Sequence, residues 1–273
     1  MHMERFINST YLIRIMGYKF IHKVSRGSRY NQIYIPKEMI EFFHVGDIVR
    51  VELLKKKTEL FCSNVKGLSK FKERLIKEIF SFLSKFKEIN QIFLVGSFLT
   101  EKIDYRDIDL IIIKKNGNDN LEEKAYNGLV DKFNLKFHVI SIPENKLLEL
   151  AQICPLIRSM LYHSISNKKF NLPNKKIDMR HIEFLLMMPE DLLEIRASSR
   201  VFYDNIRRLE AIENFLNDKE LSPEEIIREL RLILGNLFEI MKNNEEIGKE
   251  RIKELRGVIK IKLESIRRKL EGK

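Results

Sequence analysis

Tryptophan is absent from this chain, and cysteine nearly so: Cys62 and Cys154 stand far apart, without companion ligands. That speaks against a disulfide framework and a zinc site, and it fits a reducing compartment. No apolar run approaches the length of a membrane span and no signal peptide is visible, so a cytoplasmic protein without membrane contact is expected. Glycine (11) and proline (6) are sparse among 273 residues rich in Lys, Glu and aliphatic side chains. Such a composition favours a helix-rich α+β protein, long enough for two or three domains.

Charge of one sign is in excess. Lys and Arg number 50 against 39 acidic residues, a net charge of +11. A basic surface implies a polyanionic partner, with nucleic acid first and a nucleoside triphosphate second. Lysine-rich sequences also arise from genome bias or growth at high temperature, and charge by itself does not separate these origins.

The most informative stretch is Phe93-Leu94-Val95-Gly96-Ser97 followed by Asp107-Ile108-Asp109-Leu110. An apolar strand runs into a Gly-Ser turn, and a second apolar strand then carries two carboxylates at alternate positions. Alternation places Asp107 and Asp109 on one face while Ile108 and Leu110 point into the core. Two neighbouring carboxylates repel each other unless a cation sits between them. Mg²⁺ takes such oxygens together with waters and substrate phosphates. Gly96 lets the backbone approach a phosphate, and Ser97 can open a short helix whose free N–H groups face it. The unbroken run Leu110-Ile111-Ile112-Ile113 suits a central strand rather than a solvated edge.

These residues resemble the nucleotidyltransferase superfamily of DNA polymerase beta, especially its minimal branch, over about residues 67–165. The family pattern is a hydrophobic residue, Gly-Ser, a gap, then Asp-hydrophobic-Asp, and Val95-Gly96-Ser97 with Asp107-Ile108-Asp109-Leu110 matches both halves. The resemblance implies Mg²⁺ or Mn²⁺ held by Asp107 and Asp109, with phosphates cradled at Gly96 and Ser97. It also implies a third carboxylate on a later strand, and in Lys136–Ile142 the residue at that position is His138. Histidine accepts a proton near neutral pH or binds Mn²⁺, yet supplies no negative charge. The chain is therefore either an enzyme with altered metal or base usage, or a nucleotide-binding relative without turnover. A strand histidine bonded to a neighbour is a third possibility.

Residues 19–54 form a separate basic module. Ile35-Pro36-Lys37, a short amphipathic helix with Met39, Ile40, Phe42 and Phe43, Gly46-Asp47, and a final alternating strand Ile48–Leu53 are similar to the AbrB/MazE swapped-hairpin family. Pro36 suits a first helical turn and Gly46-Asp47 a tight turn. A module this small buries little core unaided, so a second copy is expected to complete it. The resemblance implies a homodimer that binds DNA, with Lys23, Arg26, Arg29 and Lys37 as contacts. A small β module used only for dimerisation or docking is the plainer alternative.

Helical periodicity predicts an amphipathic helix over 66–88, through Leu68, Phe71, Leu75, Ile79, Phe82 and Phe86, with a solvated Lys/Arg face. A crossover helix is expected over 120–133 and a helical stretch over 145–165. Arg158 and His163 in that stretch resemble the Arg-x4-His pattern of HEPN ribonucleases, although they lie where the nucleotidyltransferase domain should close. After a polar break at Asn167–Lys176, helices are expected at about 190–215, 222–243 and 245–271. Ser222-Pro223-Glu224-Glu225 reads as a helix start, and Arg196, Arg200, Arg207 and Arg208 share one helix.

The expected architecture is thus α+β: a β-rich swapped-hairpin domain at 1–60, a nucleotidyltransferase mixed sheet with helices at 66–166, and a helical bundle at 177–273. The expected activity is transfer of a nucleoside monophosphate from an NTP to a protein or nucleic-acid (DNA or RNA) acceptor. The alternative is a dimeric DNA-binding regulator whose nucleotide domain is catalytically impaired. A third reading is a structural adaptor whose basic module serves only assembly.

Overall fold

A computed structural model of the chain describes residues 19–52, 54, 58–100, 105–115, 120–219 and 221–272, which divide into two units, residues 1–55 and 56–273. The second unit is built on β4 (Ile89–Val95) and β5 (Ile108–Lys114), adjacent antiparallel strands with Leu94 opposite Leu110 and Val95 opposite Asp109. Strand β6 (Phe137–Pro143) lies parallel to β5, with His138 beside Asp109. On the other side β7 (Ser164–Ser166) and β3 (Phe61–Ser63) complete a mixed sheet of order β3-β7-β4-β5-β6. The fold is mixed α and β, as composition suggested.

The isoleucine-rich β5 is buried on both faces because helices cover the sheet on both sides. Ile92, Leu94, Ile108, Leu110 and Ile112 pack on α1 (Lys70–Leu83) and α2 (Leu121–Phe133). Phe93, Val95, Ile111 and Ile113 pack on α3 (Glu144–Ile153) and α4 (Pro155–Tyr162). Helix α1 starts at Ser69, whose hydroxyl accepts the Lys72 N–H at 3.2 Å. Its buried face is Lys72, Leu75, Ile76, Ile79, Phe80 and Leu83, one position round from the expected stripe, and Phe71 is left exposed. The helical stretch expected at 145–165 is two helices, since Cys154 is extended and Pro155 opens the second, and its end folds into β7.

Beyond the sheet come α5 (Met179–Asp191), α6 (Ser199–Leu216), α7 (Pro223–Leu234), α8 (Leu237–Lys242) and α9 (Lys249–Glu271). Ser222 caps α7, its Oγ accepting from Glu225 N at 3.1 Å. Gly235, at φ +51°, ends α7 and splits the single helix expected there into two. Phe202, Ile206, Ile212 and Phe215 of α6 form the centre of this bundle with Leu230, Met241, Leu255 and Ile259. Cys154 is buried in the same core, with Leu150 and Ile157 packed against it, so α3 and α4 serve both the sheet and the bundle.

The first unit contains the two-residue pair β1 (Ser25–Arg26) and β2 (Asn31–Gln32), then a 3-10 turn at Lys37–Phe42. Phe20 and Phe43 meet edge to face at 5.3 Å, and none of its described residues is fully buried. The final strand expected at 48–53 is not formed over the described residues 48–52, where Ile48, Val49 and Val51 stand exposed. A strand needs a hydrogen-bonding neighbour, and the described part of this unit offers none there. Leu53 lies outside the described residues.

Candidate active site

Strand β4 ends at Val95 directly opposite Asp109, so the turn after it passes over that carboxylate. Gly96 makes the turn at φ +81° and ψ −163°, a region that is in practice confined to glycine. A Cβ at position 96 would collide with Asp109 Oδ2 and lie 3.0 Å from its Cγ. Gly96 and Ser97 are exposed, while Phe98 and Leu99 anchor the turn in the core. The expected helix at Ser97 is a single 3-10 turn, Ser97–Leu99, whose Leu99 and Thr100 N–H groups bond back to Gly96 O and Ser97 O. No helix dipole develops over one turn, so a phosphate here would rely on individual groups.

Asp107 precedes β5, and Asp109 is its second residue. Both are half-buried. Burial, and to a lesser extent the charge of Asp107, push the Asp109 carboxyl above the usual carboxylate range. The bond to His138 and the positive charge of Arg207 act the other way. His138 is exposed, and its Nδ1 lies 3.2 Å from Asp109 Oδ1. An ionised carboxylate only accepts, so Nδ1 carries the hydrogen and a neutral ring keeps its lone pair on Nε2. The structure therefore brings together Gly96, Ser97, Asp107, Asp109 and His138.

Among the described residues no three His, Cys, Asp or Glu side chains form a ready-made metal cluster. A half-buried carboxylate whose ionisation is made costlier by a neighbouring one still fits a hard divalent cation that draws its remaining ligands from water and phosphate. Asp107 and Asp109 would hold it.

Arg207, on α6, has no distinguishing mark in the sequence, where it is one of four arginines expected on one helix; Arg196 in fact lies before α6. The field of Arg207 reaches Asp109, and Arg207 makes no hydrogen bond or ion pair among the described residues. Arg200 is by contrast bonded to Asp204 at 3.0 Å and to the Lys242 carbonyl at 3.0 Å. Arg208 lies 3.5 Å from the Met188 sulfur, and Arg196 is exposed. Lys72 belongs to the 66–88 helix whose Lys/Arg face is expected to be solvated, yet it is buried against the turn after Ser97.

The Arg158–His163 pair is not arranged as a nuclease site. Arg158 donates to the carbonyls of Ala151 (2.9 Å) and Pro173 (2.7 Å), and His163 is buried, which disfavours its charged form. Lys23, Arg26, Arg29 and Lys37 are all exposed in the first unit. Comparison with protein-family models, with curated proteins and with solved structures found no match.

Proposed function

We propose that the chain is a metal-dependent nucleotidyltransferase of the polymerase-beta type, moving an NMP from an NTP to a hydroxyl on a protein or nucleic-acid acceptor. The observation that carries this reading is the packing of Gly96 on Asp109, with Asp107 and His138 beside it. Bound Mg²⁺ or Mn²⁺ would neutralise charge on the triphosphate. The acceptor oxygen bonds to the α-phosphorus, the α–β bridging P–O bond breaks, and pyrophosphate leaves. The acceptor proton passes to Nε2 of His138, which Asp109 orients through Nδ1. Arg207, whose charge is felt at Asp109, would meet phosphate oxygens as the leaving group gathers charge. Replacing Asp107 and Asp109 together by Asn should abolish transfer of α-labelled nucleotide; unchanged transfer would overturn the reading.

A second reading rests on the first unit, where Val45, Ile48, Val49 and Val51 are exposed and so are Lys23, Arg26, Arg29 and Lys37. Apolar residues left in the open favour pairing with a second copy, and the cations favour DNA. This dimeric regulator predicts a DNA mobility shift that falls steeply with salt and disappears in an Arg26→Ala/Arg29→Ala variant. No shift at low salt would exclude it.

No helix among the described residues is long and apolar enough to cross a membrane.

A further inference from the structure

Lys72 sits in the first turn of α1, at the positive end of the helix, and is 6% exposed. Both circumstances disfavour a cation. If the position required only packing, Leu or Met would fill it at lower cost. The ammonium instead donates to the carbonyl of Thr100 at 2.7 Å. It also lies over the rings of Phe98 and Tyr105, 5.1 and 5.5 Å from their centroids. Those two rings meet each other edge to face at 4.7 Å. Phe98 and Thr100 belong to the turn that begins at Gly96 and Ser97, while Tyr105 leads into Asp107 and Asp109. One charge thus holds both halves of the motif to a single helix.

We infer that Lys72 is a positioning residue. By tying the Gly-Ser turn and the approach to β5 to α1, it fixes the separation between the phosphate-facing turn and the two metal-holding carboxylates. The inference rests on the nucleotidyltransferase reading of the site. It assigns Lys72 no contact with substrate. The residue acts through Phe98, Thr100 and Tyr105, with the ammonium drawn to two ring faces and a carbonyl.

The test is Mn²⁺ binding to the full chain in the presence of a non-hydrolysable NTP analogue, followed by electron paramagnetic resonance and paired with thermal unfolding. Lys72→Met should weaken Mn²⁺–nucleotide binding roughly 10- to 100-fold, as loss of an outer-shell support does. Thermal unfolding reports alongside whether the fold is kept, and the variant should remain folded at the temperature of the binding measurement. Lys72→Gln, which still donates to Thr100 but has no charge over the rings, should fall between the two. A purely structural lysine predicts the reverse, with stability lost and binding kept, and that result overturns the inference. If Lys72→Met does not fold, Lys72→Gln and Tyr105→Leu replace it, and wild-type binding by both overturns the inference. The Asp107→Asn/Asp109→Asn variant separates the two failures. If it too binds like wild type, the site reading falls and the role of Lys72 with it. If it loses binding while Lys72→Met does not, only the role of Lys72 falls.

Discussion

Gly96 and Asp109 are in contact: a side-chain carbon on the glycine would occupy the space of the aspartate's Oδ2. Two residues thirteen apart in sequence are thus made one unit by the register of β4 on β5, which sets Val95 opposite Asp109. Gly96→Ala should therefore damage the site twice. An alanine at φ +81° costs roughly 1–3 kcal/mol of backbone strain, and the carboxylate must move. Urea unfolding should show the first loss, and metal-dependent nucleotide binding the second. Wild-type binding by Gly96→Ala would show that the contact is incidental.

His138 supports the charged form of Asp109, whose carboxyl burial has already pushed upward. Removing the ring in His138→Ala takes away a stabiliser of the anion and raises that carboxyl further. The acidic limb of the pH profile for metal-dependent nucleotide binding should then move to higher pH. His138→Asp should tighten divalent-ion binding by restoring a third negative charge, while removing Nε2 as proton acceptor. A profile that does not move in His138→Ala would mean that the 3.2 Å contact is energetically silent.

Asp109 itself is a stability cost that a functional carboxylate explains. Because its folded-state pKa is raised, its favourable contribution is complete below the ordinary carboxylate value and is lost as pH rises through the raised one. At neutral pH Asp109→Asn should stabilise the metal-free protein, since it removes a charge that burial disfavours, while abolishing transfer. Calorimetric unfolding at pH 7 checks this, and a destabilised variant would contradict it.

The apolar strands around the motif are readable because central strands are buried on both faces and write continuous Ile/Leu runs. Of the two carboxylates expected on one strand only Asp109 lies within β5; Asp107 directly precedes that strand, so the two-residue period accounts for Asp109 alone. Strands β3 and β7 leave no such trace, since each has three residues and draws its order from partners about a hundred positions away. The face of α1 is rotated because Lys72 reads as polar, whereas its stem and ammonium both find places inside. Arg207 is indistinguishable from Arg200 and Arg208 along the chain. Only the packing of α6 settles that the charge of Arg207 is felt at Asp109 while Arg200 is bonded within its own neighbourhood. In the first unit, Ile48–Glu52 has a strand's alternation, yet in a single chain it meets no partner among the described residues.

Arg207→Ala should weaken NTP binding by about 1.5–3 kcal/mol, the usual worth of a hydrogen bond to a charged group. Binding of the corresponding nucleoside should hardly change, since that ligand has no phosphate for the guanidinium to meet. Titration calorimetry with both ligands makes the comparison. Equal losses would point to a general structural defect.

A separate pH effect belongs to the helical bundle. Burial, with the neighbouring Glu229 carboxylate, raises Glu210 to about 7 even though Lys262 lies 2.5 Å from its Oε2. Glu213 is also penalised by burial, but bonds from Lys262, Lys269 and Ser265 overcome that and hold it at about 2. Glu210 therefore contributes stability below its ordinary value of 4.5, and that contribution is lost as pH rises to about 7. Glu213 contributes above 4.5 and loses its contribution as pH falls towards 2. Stability curves of wild type and Glu210→Gln should diverge between pH 4.5 and 7, with the wild type alone declining. Parallel curves would contradict the assignment.

The most direct measurement of the central claim follows the two ends of the same substrate. Each NTP, labelled separately on its α- and γ-phosphorus, is incubated with the protein, Mg²⁺ or Mn²⁺, and RNA, DNA or lysate as acceptor. Nucleotidyl transfer predicts α-label on an acceptor, γ-label in pyrophosphate, and neither event when Asp107 and Asp109 are both Asn. Label from the γ-position on the acceptor, or α-label transfer that survives the double substitution, would contradict it.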